Sequence, residues 1–199
     1  MLRMQSNNRV LTMSAAIAVA TTLAAPARAA DGGKVETRHG LDRISAWALK
    51  LKERKSREGP YAPIVGALDL GTAENGFGAA RSGHVHAGQD VFAPAGTPLV
   101  AVSDAIVIDA GSDGGQGNYV HLFDRKRERT YVYMHMVEQA SVSTGERVEA
   151  GERVGGVGCT GSCWGDHLHF EVREGRGFTA GAIDPLPLIR EWKSPDHPG

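Results

Sequence analysis

The shortness of the apolar runs after residue 58 is the feature that most constrains the fold. Glycine and proline, 26 and 9 in the chain, fall mostly in this part and interrupt the apolar runs. The β-branched and aromatic residues that alternate within the runs favour strands, and the turn residues between them favour antiparallel pairing. We therefore predict an all-β domain of antiparallel strands over residues 61–188, without helix–strand alternation. The strand candidates are PLVAVSDAIVIDAG (98–111), NYVHLFD (118–124), RTYVYMHM (129–136), ERVEAGERVGGVG (146–158) and DHLHFEVRE (166–174).

The first residues have the pattern of a signal peptide. Arg3 and Arg9 precede an uncharged, largely apolar run from Val10 to Ala25, and ARA (27–29) offers small residues for signal peptidase. We expect residues 1–29 to be removed and the protein to be exported, to the cell wall, the periplasm or the medium. An uncleaved membrane anchor is the alternative, but the apolar run is shorter than the roughly 20 residues that span a bilayer.

Residues 30–60 are predicted to form a linker and one amphipathic helix. Leu41, Ile44, Ala48 and Leu51 recur at helical spacing, so the helix is predicted over about 41–57 and is expected to end by Gly59-Pro60. The basic end of this helix, near residue 57, is typical of a solvated helix end, although contact with an anionic cell-wall polymer is an alternative. Residues 189–199 are expected to form a tail.

The net charge argues against nucleic acid as a partner. Removal of residues 1–29 takes away three arginines and no acidic residue, so the 22 basic side chains become 19, against 23 acidic ones, a net charge of −4. Such a chain has no global electrostatic reason to bind nucleic acid.

The two cysteines lie four positions apart in a turn rich in Gly, Ser and Thr. In an oxidising compartment, Cys159 and Cys163 are expected to form a short-loop disulfide that braces the loop before HLH (167–169). A zinc-binding cysteine pair is the alternative, which is weaker because other zinc ligands are better placed.

Several histidines and one aspartate form a candidate metal site. His167 and His169 are separated by one residue in a predicted strand, so both project to the same face. HAGQD supplies His86 and Asp90, and YMH supplies His135. Catalytic zinc uses three protein ligands and keeps one position open, which two histidines and one aspartate from this set would satisfy. Gly88 would allow the backbone to bend, because positions i and i+4 lie about 13 Å apart when extended.

Two further histidines are weaker candidates. His121, within a predicted strand, is best explained as a partly buried, hydrogen-bonded side chain. His84 precedes His86 by two positions and would share its face in an extended segment, so an exchange of roles between these two remains an alternative.

The same residues carry a resemblance to the lysostaphin-type, LytM-like zinc endopeptidases, metallopeptidase family 23. Successive blocks resemble the family's signatures in the right order from about residue 77 to 185, including HAGQDVFAPAGTPLVAVSDAIV, GNYVHL, YVYMHM, VSTGERVEAGERVGGVGCTGS and GDHLHFEV. The chain departs from the family at Cys159, Cys163 and Trp164, where small polar residues are commoner, so the loop shape and the substrate fit are expected to differ.

The resemblance implies antiparallel sheets of the duplicated hybrid motif type, forming a groove with zinc at its floor. It implies that His86, Asp90 and His169 bind zinc and that His135 and His167 are the catalytic histidines, one accepting a proton from water and the other stabilising the oxyanion. The implied reaction is hydrolysis of peptide bonds in peptidoglycan stem peptides or cross-bridges by a monomer.

Two other classes of function are less favoured by the sequence. A catalytically silent binding or activator protein with the same fold would lose metal ligands, and this chain keeps all of them. A lipoyl- or biotinyl-carrier module would need a Met-Lys attachment turn, which the sequence lacks.

Overall fold

The computed structural model describes residues 59–195 of the chain. The predicted signal peptide, the predicted helix at 41–57 and the last four residues lie outside this part. The strands are β1 (Ala80–Arg81), β2 (His84–Val85), β3 (Gln89–Phe92), β4 (Pro98–Val100), β5 (Ala105–Asp113), β6 (Gly117–Asp124), β7 (Arg129–Met136), β8 (Arg147–Val148), β9 (Arg153–Gly156), β10 (His167–Glu174) and β11 (Gly181–Ile183). A 3₁₀ turn at Ala73–Asn75 precedes them and a short helix, α1 (Leu186–Glu191), follows them.

The strands form one large sheet and two small ones. The seven-stranded sheet has the order β11-β10-β7-β6-β5-β8, and β3 also pairs with β10. The strand pairs β1–β2 and β4–β9 form the two small sheets, and all of these strand pairs are antiparallel. The prediction of an all-β, antiparallel fold is confirmed.

Strand β10 connects the core to the groove side of the sheet. Its first half pairs with β3, its second half pairs with β11, and β7 runs along its other edge. Leu168 and Phe170 are fully buried in the hydrophobic core. Because side chains alternate along a strand, His167 and His169 project to the opposite face. The strand is therefore covered on both faces, by the core on one and by the candidate site on the other.

The core is built on aromatic and β-branched side chains. Tyr131, Tyr133 and Phe170 pack against one another, with ring centroids 6.2 and 5.2 Å from Phe170. The Tyr133 hydroxyl donates to the Val100 carbonyl at 2.8 Å, which ties the large sheet to β4. This buried hydrogen bond satisfies the hydroxyl that would otherwise be costly in the core.

Two predicted strands are divided in the structure. The run 146–158 forms β8 and β9, which flank a turn that includes Gly151. The run 98–111 forms β4 and β5, because two polar side chains bond outside the strand ladder between them. The Ser103 hydroxyl donates to Asp124 at 2.6 Å, and the Asp104 carboxylate accepts the Ala150 N–H at 2.9 Å. Short Ser and Asp side chains compete in this way with regular pairing.

The packed domain extends beyond residue 188. Helix α1 crosses the predicted boundary, Ile189 is 1% exposed, and the Trp192 ring lies edge-on to Tyr131 and Phe170. The start of the predicted tail is therefore part of the core, because its apolar side chains cover the sheet. None of the helices among residues 59–195 has the length and hydropathy needed to cross a membrane.

Candidate metal centre and its groove

An open groove of about 880 Å³ crosses the end of the large sheet. Its floor consists of buried polar side chains from β3, β7 and β10 and from the segment before β3. Its rim consists of exposed residues from the β1–β2 hairpin, the β5–β6 turn and the loop before β10. The floor residues are His86, Asp90, His135, His167, His169 and Glu171.

Three ligand-type atoms meet at this floor. His86 Nε2 lies 3.0 Å from Asp90 Oδ1 and 2.9 Å from His169 Nδ1. Asp90 Oδ1 and His169 Nδ1 are 3.1 Å apart. Asp90 and His169 are direct cross-strand partners on β3 and β10, so their side chains share one face. The three side chains could hold one metal ion. Tetrahedral zinc with bonds of about 2.0–2.2 Å places its ligand atoms roughly 3.3–3.5 Å apart, close to this triangle.

The chain brings His86 to Asp90 by a bend at Gly88. This glycine is buried, and a Cβ there would lie 2.4 Å from the Phe170 carbonyl oxygen and 3.0 Å from His169 Nε2. The bend agrees with the sequence prediction, and the structure adds a second reason for glycine. A larger residue would push β3 away from β10 and separate the ligand atoms.

The far nitrogen of each ligand-type imidazole is held by an oxygen. His86 Nδ1 donates to the Gly76 carbonyl at 2.8 Å, and His169 Nε2 donates to the Glu171 carboxylate at 3.1 Å. This leaves the lone pairs of His86 Nε2 and His169 Nδ1 directed at Asp90 Oδ1. Three acceptors then face one another, which is stable only around a cation or a proton. Such outer hydrogen bonds are typical of metal-binding histidines.

The electrostatics of the floor favour positive charge at its centre. Burial opposes ionisation of Asp90, but hydrogen bonding to His169 and His86 lowers the pKa of its carboxyl below the ordinary value. Burial alone would lower the pKa of His169, yet Asp90 and Glu171 raise it. Glu171 is itself kept ionised, because His169 and Arg173 lower its pKa against the effect of burial. The donor set and the charge thus fit a divalent metal ion.

A β-bulge directs His135 into the groove. Met134 is the cross-strand partner of His169, so regular alternation would turn His135 away from the groove. The pairing of β6 with β7 shifts register between Asn118 and Val120, and His135 has a φ of 64°. Both Met134 and His135 consequently line the groove. A positive φ at a residue other than glycine is strained, and such strain is common at functional sites.

The two additional imidazoles at the floor have the same hydrogen-bond pattern. His135 Nδ1 donates to the Thr160 carbonyl at 2.9 Å, and His167 Nδ1 donates to the Gly165 carbonyl at 2.8 Å. Each ring therefore keeps a lone pair at Nε2, and His167 Nε2 lies 3.6 Å from Asp90 Oδ1. Burial lowers the pKa of His135 to about 4, so this imidazole is neutral near pH 7.

The weaker histidine candidates lie outside the cluster. His84 is exposed at the rim, with its Nδ1 3.2 Å from the Ser82 carbonyl oxygen, so His86 and not His84 lies with Asp90. His121 is buried, bonds to the Gln116 side chain at 2.8 Å and stacks between Tyr119 and Phe178. The interpretation of His121 as a hydrogen-bonded strand residue agrees with this environment.

Sequence reasoning missed the residues that support the ligand set. Glu171 lies two positions after His169 on the same face of β10, so the same period-two argument could have found it. Arg173 Nε donates to Glu171 at 2.6 Å, and Arg81 donates to the second oxygen of Asp90 at 3.2 Å. The role of the Gly76 carbonyl could not be predicted from the sequence, because every residue type has a backbone carbonyl oxygen.

The predicted disulfide is present at the rim. Cys159 and Cys163 are bonded, with their Cα atoms 5.3 Å apart, so neither sulfur is free to bind metal. Trp164 follows the bridge and its side chain is 98% exposed beside the groove.

Fold and site together define a class: a β-sheet domain in which three buried side chains that could hold a metal ion meet beside an open groove. Comparison with known proteins agrees. Residues 84–185, about half of the chain, match the family described as Peptidase family M23. The chain belongs to this family.

Individual relatives support the same assignment. The chain is 34% identical over 110 residues to the glycyl-glycine endopeptidase ALE-1 of Staphylococcus capitis, covering 55% of this chain and 30% of the relative. It is 40% identical over 88 residues to the peptidoglycan DD-endopeptidase ShyC of Vibrio cholerae, covering 43% and 19%. The solved catalytic domain of the antimicrobial peptidase lysostaphin from Staphylococcus simulans matches with a TM-score of 0.54 and 32% identity, covering 58% of this chain and 90% of that domain. The chain thus spans less than a third of the two curated relatives.

Proposed function

We propose that this protein is a zinc-dependent endopeptidase that hydrolyses peptide bonds in peptidoglycan stem peptides or cross-bridges. The observation that carries the proposal is the convergence of His86 Nε2, Asp90 Oδ1 and His169 Nδ1 at the floor of an open groove. Their outer nitrogens are already held by oxygens, so the lone pairs point at one place. The relatives support the substrate, since their names include a glycyl-glycine endopeptidase and a peptidoglycan DD-endopeptidase.

In this proposal His86, Asp90 and His169 hold the zinc. Bound zinc supplies a Lewis acid that polarises the scissile carbonyl and lowers the pKa of water to about 7. Glu171 keeps His169 in the tautomer that presents Nδ1, and the Gly76 carbonyl keeps His86 in the tautomer that presents Nε2. The protein therefore fixes the orientation of both imidazoles before substrate arrives.

His135 and His167 move protons and stabilise charge. Each presents an Nε2 lone pair to the groove because its Nδ1–H is held by a backbone carbonyl. A neutral imidazole of this kind accepts the proton of the attacking water at Nε2. In its protonated form, in which Nε2 also carries a hydrogen, the other imidazole stabilises the negative charge that develops on the carbonyl oxygen. The ring centroids lie 5.0 Å apart, which supports the proposal that both rings act on one reacting carbon.

Export completes the proposal. Residues 1–29 act as a signal peptide, residues 30–60 contain a helix and linker, and the peptidase domain begins at about residue 61. The Cys159–Cys163 disulfide supports an oxidising compartment, where such bonds persist and where peptidoglycan lies. We further propose that the mature protein acts as a monomer.

Digestion of purified peptidoglycan tests the function. The mature chain, loaded with zinc, is expected to release soluble fragments whose masses correspond to hydrolysis of one kind of amide bond. Removal of metal with a chelator should stop the release, and addition of zinc should restore it. Absence of any fragment from several peptidoglycan types with zinc-loaded, folded protein would contradict the proposal.

A further inference from the structure

The loop between β9 and β10 holds the ring of His167 through a single residue, Gly165, whose N–H and carbonyl belong to successive peptide units. Gly165 donates its N–H to Cys159 Sγ at 3.0 Å and accepts the His167 Nδ1–H on its carbonyl at 2.8 Å. We propose that the Cys159–Cys163 bridge is a positioning element that sets the tautomer and orientation of His167. This inference rests on the proposed function and adds a dependence of turnover on the oxidised bridge.

Both sulfurs of the bridge contact Gly165. Besides the bond to Cys159, Cys163 Sγ lies 3.0 Å from the Gly165 carbonyl oxygen and 3.8 Å from His167 Nδ1. A disulfide sulfur has no hydrogen, so the approach to the carbonyl oxygen is a packing contact, and toward His167 Nδ1 the Cys163 sulfur is only a long, weak acceptor. Gly165 is thus held at its N–H by one sulfur and packed at its carbonyl against the other. Loss of the bridge would free the carbonyl that His167 uses.

Gly165 has a backbone conformation that suits this link. Its φ is +112°, which side chains rarely allow, and a Cβ there would meet nothing within 4 Å. A substitution would therefore act on the backbone alone, without a steric clash. A substitution at Gly165 therefore tests the connection between the disulfide and the His167 ring without a steric effect on other residues.

The backbone of His167 is fixed independently of Gly165. Its N–H donates to the Gly158 carbonyl at 3.1 Å, and β10 pairs with β3 from this residue onward. Only the ring depends on Gly165, since the one other acceptor near its Nδ1 among the described residues is the more distant and weaker Cys163 Sγ, at 3.8 Å. Without that acceptor, the proton could move to Nε2 and remove the lone pair that faces the groove.

The metal ligands do not share this dependence. His169 lies two residues further along β10 and is held by Glu171 and by pairing with β3 and β7. Disruption of the bridge should therefore lower turnover while zinc stays bound. A general loss of structure would instead lower both.

The test uses a graded series of variants in the full mature protein. Cys159→Ala/Cys163→Ala removes the bridge and the acceptor for Gly165, whereas Cys163→Ser breaks the bridge but keeps the Cys159 sulfur. Gly165→Ala disturbs the link directly. Gly145→Ala is the matched control, because Gly145 also has a positive φ and open space but lies outside the groove.

We expect kcat on a defined muropeptide to fall about 10- to 100-fold in the double alanine variant and in Gly165→Ala, the range for loss of an outer supporting bond. Cys163→Ser should fall less and Gly145→Ala should be unchanged. Zinc content should stay at the wild-type value in all four. In ¹⁵N NMR spectra, the His167 ring should carry its proton on Nδ1 in the wild type and lose this preference in the double alanine variant.

The spectrum separates this inference from the proposed function. If the wild type cleaves no peptidoglycan, the proposed function fails, yet the His167 tautomer still decides whether the bridge positions the ring. An unchanged tautomer and kcat in the bridge-less variant would overturn the inference, as would a loss of zinc equal to the loss of turnover. If the cysteine variants do not fold, reduction of the folded wild type with a phosphine gives the comparison expected for Cys163→Ser, because the Cys159 sulfur stays in place. The phosphine supplies two electrons, and one water molecule supplies two protons to the thiols and the oxygen of the phosphine oxide.

Discussion

The floor of the groove and its rim are built on different principles. At the floor, the metal-ligand candidates Asp90 and His169 lie on adjacent strands, are buried, and are held by further hydrogen bonds. At the rim, Trp164 is almost fully exposed on a loop that is held by a disulfide and by contacts to the β5–β6 turn.

Because of this difference, substitutions at the floor and at the rim of the groove should have different effects. A change at the floor alters the strand register or leaves a buried polar atom without a partner, which is costly. A change at the rim alters an exposed side chain and leaves the sheet intact. We therefore expect chemistry to depend on the floor and on the disulfide contacts that hold His167, and substrate fit to depend on the exposed side chains of the rim.

Loss of a ligand at the floor should have the largest effect. Asp90→Ala removes the carboxylate oxygen that lies within 3.1 Å of both ligand-type imidazoles. Zinc binding, measured by elemental analysis, and peptidoglycan hydrolysis should both fall to background. Asp166→Ala, an exposed carboxylate in the rim loop, should keep its zinc. Retention of zinc by Asp90→Ala would show that the metal is held elsewhere.

Loss of a proton-transfer group at the floor should have the second largest effect on activity. His135→Ala is expected to lower kcat by about 10²- to 10⁴-fold and to leave zinc bound, because its Nδ1 bonds to Thr160 and not to a ligand. His84→Ala, at the exposed rim, should change kcat far less. Equal effects of the two substitutions in steady-state kinetics would remove the distinction between floor and rim.

Weakening the support of a ligand should have a moderate effect. Glu171→Gln replaces the carboxylate that accepts from His169 Nε2, and we expect zinc affinity to fall about 10- to 100-fold. Glu174→Gln lies at the exposed end of the same strand and serves as the control. Competition with a chromogenic chelator measures the zinc affinity of both variants. Identical affinities would mean that Glu171 acts on packing alone.

The smallest effect on stability is expected at the rim. Trp164→Ala should change the free energy of unfolding by no more than about 0.5 kcal/mol, because the side chain is 98% exposed. Chemical denaturation at equilibrium gives this value. A loss of more than about 2 kcal/mol would show that the indole packs against the fold, against its exposure.

The sequence predicts those parts that depend on periodicity. Alternation along β10 places His167 and His169 on one face and Leu168 on the other, and the turn composition predicts the disulfide at the rim. The direction of His135 was not predictable, because it depends on a bulge whose register shift leaves no mark in the composition of β7. The same limit applies to Gly76, whose carbonyl acts through position and not through residue type. The break at Ser103 and Asp104, in contrast, could have been predicted from two polar residues inside an apolar run.

The roles of the two neighbouring histidines on β10 provide the most direct test. His169→Ala and His167→Ala should be prepared as folded proteins, and bound zinc and hydrolysis should be measured on the same samples. We expect His169→Ala to lose both the metal and activity, and His167→Ala to keep about one zinc per molecule while losing most of its turnover. Loss of zinc from His167→Ala together with its retention by His169→Ala would contradict the assignment of ligand and proton-transfer group.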